Sequence, residues 1–168
     1  EALERLKRTG EWLDEAPEIE TEIERLREVV ESRKREKPKG KDEEMPGLRF
    51  SSGQFTILVG RNSRENDELL RRYARGNDYW LHTRDFPGGF VFIRHIAGQS
   101  VPLETLLDAG NLALYYSKGR SEGKAELYYT RVKYLRRAKE GKEGLVLPTR
   151  EKNLSIELDE RRIKRLLR

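Results

Sequence analysis

The chain has 168 residues, enough for one domain and an appendage, with 39% charged against 35% hydrophobic residues. It has no cysteine, which excludes disulfides, thiolate zinc sites and cysteine nucleophiles and fits a reducing compartment, and no apolar run approaches the length of a membrane span. The formal net charge of +5 is unevenly spread: residues 1–44 hold 11 Lys/Arg and 15 Asp/Glu, a net of −4, whereas residues 45–168 hold 24 and 15, a net of +9. Such asymmetry points to a polyanion as partner of the basic part.

In chain order, residues 1–37 read as a helical arm. Ile19, Ile23, Leu26 and Val30 recur at spacings of 4, 3 and 4, a narrow apolar seam of coiled-coil type. So short a helix needs a partner helix, so residues 1–36 are expected to bind one; the alternative is a helix packed on its own domain. Residues 38–47, charged and without apolar periodicity, read as a linker. The chain opens on Glu1 and its one methionine is Met45, so the expectation is a piece of a longer protein.

Residues 48–168 read as α+β, a mixed or antiparallel sheet with packed helices. Phe55, Ile57 and Val59 alternate as a strand. Asn62 is placed to cap a helix, with Glu65 as its capping-box partner, and that helix carries Leu69 and Leu70 and ends before Gly76. Strands are expected over 78–84 and 89–96, the second central because both its faces are apolar. Pro102 opens a helix with Leu103, Leu106, Leu107, Gly110 and Leu114 on one side; Gly110 marks a close approach of helix to sheet. The stretch 125–137 reads as strand-like, 144–148 and 153–158 as short strands, and 159–168 as a basic helix with Ile163, Leu166 and Leu167 inward.

The chemistry concentrates in two regions. Alternation along 78–84 puts Asp78, Trp80, His82 and Arg84 on one face: a carboxylate, an indole, an imidazole and a guanidinium. Such a face suits base stacking and phosphate binding; the alternative is a buried Trp80 beside a histidine satisfied by Asp78 or Asp85. Further on, residues 118–142 contain Lys118, Arg120, Lys124, Arg131, Lys133, Arg136, Arg137, Lys139 and Lys142 against Glu122, Glu126 and Glu140. With Tyr129, Arg131 and Lys133 sharing a strand face, this pattern suits a phosphate backbone, unless it is a solvated charged surface. Arg61 and Arg64 flank a helix start that favours anions.

Catalytic signals are sparse. Asp78, His82 and Asp85 are compatible with a metal or acid–base site, but His95 stands at no metal-ligand spacing from His82. Gly119–Lys124 departs from a phosphate-binding loop in its glycine spacing and carries Ala125 where a hydroxyl is required.

Gly60-Arg61-Asn62 with Glu65-Asn66-Asp67, then Asp78-x-Trp80-Leu81-His82 with Asp85-x-Pro87-Gly88 and Ile93-Arg94, and later Tyr129-Thr130-x-Val132-Lys133-Tyr134 and Gly144-Leu145-Val146, resemble the NFACT-R domain, the RNA-binding module of the NFACT proteins. In that family the domain follows a coiled-coil region, which suits the arm. The resemblance implies binding of tRNA or rRNA on the large ribosomal subunit, in ribosome-associated quality control or tRNA metabolism. The further expectations are a cytoplasmic location, no membrane association, no cofactor and, from the sparse catalytic signals, no catalysis. The pattern departs at Phe90, where family members commonly carry a histidine.

The combined expectation is an RNA-binding surface of Arg61, Arg64, Asp78, Trp80, His82, Arg84, Lys118, Arg120, Arg131, Lys133, Arg136 and Arg137, with the cations neutralising phosphates. Bacterial relatives have also been called fibronectin-binding proteins, so one rival is an adhesin or protein-interaction module. The other is a metal-dependent hydrolase or nuclease centred on Asp78, His82 and Asp85.

Overall fold

The computed structural model describes residues 24, 25, 27, 45–137 and 145–168. Of the predicted arm, only Glu24, Arg25 and Arg27 fall among them; they are helical, and Arg27 lies 3.4 Å from Glu24. The seam of Ile19, Ile23, Leu26 and Val30 and the basic positions Lys139 and Lys142 lie outside the described residues.

Residues 45–168 form an α+β fold. Strand β1 (Leu48–Ser52) is followed by β2 (Phe55–Val59), helix α1 (Ser63–Glu68), β3 (Tyr79–Thr83), β4 (Val91–Ile93) and helix α2 (Leu103–Tyr115). Then come β5 (Lys124–Arg131), β6 (Leu135–Arg137), β7 (Val146–Pro148), β8 (Lys152–Glu157) and helix α3 (Glu160–Leu166). The main sheet has the order β1-β2-β4-β3-β5-β8, and every neighbouring pair is antiparallel. Strand β1 was not foreseen; it pairs with β2 from Leu48↔Val59 to Ser52↔Phe55. Met45, read as linker, packs against buried Leu58, Leu69, Trp80, Phe90 and Phe92.

Period-2 alternation sends apolar side chains to both faces of the sheet. On one face Ile57, Val59, Leu81, Val91, Ile93 and Leu127 meet α2 and α3 in the larger core. Helix α2 lies close because residue 110 is glycine: a Cβ there would come within 2.7 Å of Ile156 Cδ1. Helix α3 contributes Ile163 and Leu166 to this core, and Asp159 caps it by accepting from the backbone of Arg161 and Arg162. Two leucines expected inward face solvent instead: Leu103 in the first turn of α2 is 65% exposed, and Leu167 at the end of α3 is 46% exposed.

The opposite face is also covered. Asn62 Oδ1 accepts from Glu65 N at 2.9 Å, so α1 starts as the capping signal predicts. The reciprocal contact comes from the residue before the cap, Arg61 N to Glu65 Oε2 at 2.8 Å. The helix then widens into a π-helical turn over Leu69–Tyr73, which presents Leu69, Leu70 and Tyr73 to Leu58, Trp80, Phe90 and Phe92. The segment expected as one strand over 125–137 breaks at Val132–Tyr134 into a 3-10 turn. Beyond the turn, β6 leaves the main sheet and pairs with β7 as a separate two-stranded ribbon. Val132, Leu135 and Val146 thereby close over the Trp80 side.

Candidate nucleic-acid interface

The alternation predicted for β3 holds, with Leu81 in one core and Trp80 in the other, but the Trp80 face is not open. Trp80 is 2% exposed. His82 stacks on one side of it, ring centroids 5.8 Å apart and planes 7° from parallel, and Phe90 meets it edge-on at 5.4 Å. The indole's stacking capacity is therefore used inside the protein, and its Nε1 has no acceptor among the described residues. His82 Nε2–H donates to the Gly88 carbonyl at 3.2 Å. Burial holds the imidazole's pKa below its ordinary value, the carbonyls of Gly88 and Thr83 opposing that shift.

Asp78, expected on the same surface, is 2% exposed and organises backbone. Its Oδ2 accepts from Arg75 N at 2.8 Å and its Oδ1 from His95 N at 2.7 Å, with Arg94 Nη1 3.5 Å away. Asp85 is exposed and engaged by Arg84. Asp78, His82 and Asp85 therefore do not converge, and among the described residues no three His, Cys, Asp or Glu side chains are gathered to hold a metal ion. Of the four-residue face, Asp78 and Trp80 are drawn into the interior, His82 is half-buried and Arg84 alone is exposed.

The remaining motif residues also fasten the fold. Asn66 is 6% exposed, and its Oδ1 accepts from Phe90 N at 2.9 Å. Gly89 passes so close to the carbonyl of Gly60 that no side chain fits there. Together these contacts clamp the start of α1 to the turn between β3 and β4.

The predicted cations separate to the two ends of β3. At the Tyr79 end, Arg131 lies opposite Tyr79 in the β3–β5 register. Its guanidinium carbon sits 4.5 Å from the Tyr79 ring centroid, and its Nη1 donates to the Asn77 carbonyl at 2.6 Å. Lys133 lies in the 3-10 turn, not on the strand, yet its Nζ reaches Asn77 Oδ1 at 3.2 Å. Lys133 and Arg150 both approach the Tyr134 ring, at 5.3 and 4.7 Å from its centroid. Arg150 was not anticipated: it stands sixteen residues from Tyr134, and only the β6–β7 ribbon brings the two together. Arg136 and Arg137 continue the basic surface along β6, both exposed. Among the described residues none of Arg131, Lys133 and Arg150 is paired with a carboxylate; neutral oxygens and aromatic rings hold all three.

At the Thr83 end, Gly60 N donates to the Phe90 carbonyl and Lys118 N to the Pro87 carbonyl, both at 2.9 Å, gathering Arg61, Arg84, Lys118 and Arg120. Here two cations are neutralised. Arg61 meets Glu65 at 2.7 Å, which lowers the carboxyl's pKa and raises that of the guanidinium. Arg84 forks onto both oxygens of Asp85 at 3.2 Å. Arg120 instead lies over the Tyr115 ring, 3.7 Å from its centroid, and Tyr115 meets Tyr116 edge-on at 4.9 Å. Arg64 and Lys118 are exposed.

Fold and site together define a small α+β domain whose cationic surface is arranged around tyrosine rings. Residues 46–149 match the family model described as NFACT protein RNA binding domain, and the chain belongs to that family. It is similar to the Rqc2 homolog RqcH of Bacillus subtilis, 38% identical over 57% of this chain and 16% of that protein. It is also similar to the Rqc2 homolog RqcH of Streptococcus pneumoniae, 34% identical over 90% of this chain and 27% of that protein. The human ribosome quality control complex subunit NEMF is 31% identical over 40% of this chain and 6% of its own length. The matched region thus spans about a quarter or less of these relatives. Among solved structures, the C-terminal part of the fibronectin/fibrinogen-binding protein from Streptococcus suis superposes with a TM-score of 0.65, at 32% identity over 72% of this chain and 49% of that one.

Proposed function

We propose that this domain binds structured RNA, tRNA or rRNA, as part of a ribosome quality control factor acting on the large ribosomal subunit, and that it does so by charge and stacking without catalysis. The observation that carries the reading is the Tyr79 end of β3: Arg131, Lys133 and Arg150 lie on or beside tyrosine rings and are held by neutral groups. Their full charge is available to phosphates, and an arginine plane laid on an aromatic ring is both a bidentate phosphate donor and a stacking surface. Arg136 and Arg137 extend that surface. Arg64, Lys118 and Arg120 supply a second region of phosphate binding at the Thr83 end, where Arg61 and Arg84 are secondary because carboxylates already neutralise them. The names of the relatives, Rqc2 homolog and ribosome quality control complex subunit, support the ribosomal setting.

The test is a titration of the full chain with tRNA at two salt concentrations, beside an Arg131/Lys133/Arg136 triple alanine variant. Removing one phosphate-binding cation lowers the salt slope by about 0.7–0.9, so the triple variant is expected to bind more weakly and with a slope shallower by about two to three. Unchanged affinity, or an absent slope in the parent, refutes the reading. Titration with fibronectin serves as the control for a protein-binding module: saturable binding to it with no RNA affinity would favour the role that the solved relative's name describes.

A further inference from the structure

A groove of about 660 Å³ lies between the C-terminal end of α2 and helix α3, lined among others by Tyr115, Lys118, Arg120, Leu158, Lys164 and Leu167. Its two walls are tied together: Leu158 N donates to the Gly123 carbonyl at 2.7 Å, joining the end of β8 to the 3-10 turn that carries Arg120. One wall is the Arg120–Tyr115 stack, with the guanidinium carbon 3.7 Å from the ring centroid. The other is aliphatic, and it explains why Leu167, which periodicity turns inward, stands 46% exposed at the groove's edge. Lys118, Arg120 and Lys164 face a single carboxylate, Glu160, among the lining residues. The volume lies within the range of small-molecule sites. Three cations around an apolar slot with a flat guanidinium on one side match a planar base flanked by phosphates.

We propose that this groove receives one unpaired nucleotide of the bound RNA. The base packs between the Arg120–Tyr115 stack and the side chains of Leu158 and Leu167, and the adjoining phosphates lie on Lys118 and Lys164. The inference rests on the RNA-binding reading and adds a preference for unpaired over fully paired RNA, located at a site separate from Arg131 and Lys133. Stacking carries the recognition, so the groove takes any base and discriminates by accessibility rather than identity.

The experiment compares a blunt RNA hairpin with the same hairpin bearing a single-nucleotide 2-aminopurine overhang, bound to the full chain and read by anisotropy and by 2-aminopurine quenching. The parent is expected to prefer the overhang RNA by about fivefold or more, with the fluorophore quenched. Leu167→Ser, a change at an exposed position, abolishes preference and quenching while blunt-hairpin affinity stays within about twofold. Arg120→Lys, which keeps the charge and removes the plane, likewise abolishes preference and quenching and leaves the salt slope intact. A parent that binds both RNAs equally overturns the groove assignment and leaves RNA binding standing; a parent that binds neither overturns both. An acidic amphipathic peptide that binds the parent but not Leu167→Ser, with overhang RNA unaffected, also overturns it, since the groove would then dock protein.

Discussion

Truncating Asp78 separates a residue that builds the domain from one that touches RNA. Its buried carboxylate accepts two short backbone hydrogen bonds, from Arg75 N at 2.8 Å and His95 N at 2.7 Å, and so ties the end of the α1 segment to the residues after β4. A hydrogen bond to a charged group contributes about 1.5–3 kcal/mol. Arg75 and His95 are themselves exposed, so water reaches the freed N–H groups and each bond counts near the lower figure. The expected loss for Asp78→Ala is therefore about 3 kcal/mol. Asp78→Asn keeps one acceptor but turns an NH₂ toward the other donor, and is expected to lose about 2 kcal/mol. With urea slopes of about 1–3 kcal/mol per molar, the alanine variant's midpoint falls by roughly 1–3 M. RNA affinity measured on the folded fraction at low temperature should stay within about twofold of the parent, a change of less than about 0.4 kcal/mol. An alanine variant within about 0.5 kcal/mol of the parent would refute the structural role, against the roughly 3 kcal/mol expected for loss of both bonds. So would one of full stability that no longer binds RNA.

Burial keeps the folded-state pKa of His82 below its unfolded value. Between the two the unfolded chain binds more protons, so stability is complete above about pH 6.5 and falls as pH drops from there toward the lowered folded value. Urea midpoints at pH 7.5 and 5.5 should show that fall in the parent and a smaller one in His82→Gln. At the other core, Arg162 Nη1 lies 2.6 Å from Asp108 Oδ1, and the Asp108 carboxylate is 3% exposed. Arg162→Ala should cost about 2–3 kcal/mol, less than the loss of a buried ion's only partner, because Arg165 and the Ser52 hydroxyl still bind Asp108. Thermal or urea unfolding checks this, and a loss under about 0.5 kcal/mol, well below a buried pair's usual cost, would count against it.

Local signals recovered most of the fold. The Asn62 cap, the alternation of β2 and β3, the two apolar faces of β4 and the close approach at Gly110 depend on nearest neighbours or on period, both readable in one dimension. The edge strand β1 was missed because Arg49, Ser51 and Ser52 give Leu48 and Phe50 too little apolar alternation to register. The site was legible in composition and not in placement. Alternation correctly put Trp80 and His82 on one side of β3, but whether that side is wet depends on what covers it. The cover comes from the break at Val132–Tyr134 and the β6–β7 ribbon, and the break, where the chain turns away, carries no glycine or proline. Arg131 and Lys133 were paired for a strand face they do not share; both reach Asn77 because the turn after β5 bends back toward it. The motif from Gly60 through Gly89, from which the family resemblance is read, clamps helix, turn and sheet together.

Strand β3 fixes how far apart the two cationic ends stand. Four residue steps from Tyr79 to Thr83 span about 13 Å, and hydrogen-bonded strands on both sides allow neither stretch nor slip. On the proposed reading, a partner that engages both ends meets them at that backbone interval, widened or narrowed by the reach of the cationic side chains. On the proposed RNA-binding reading the strand is a ruler between the two regions, and what it would compare is the form of an RNA helix, which single-base changes leave untouched.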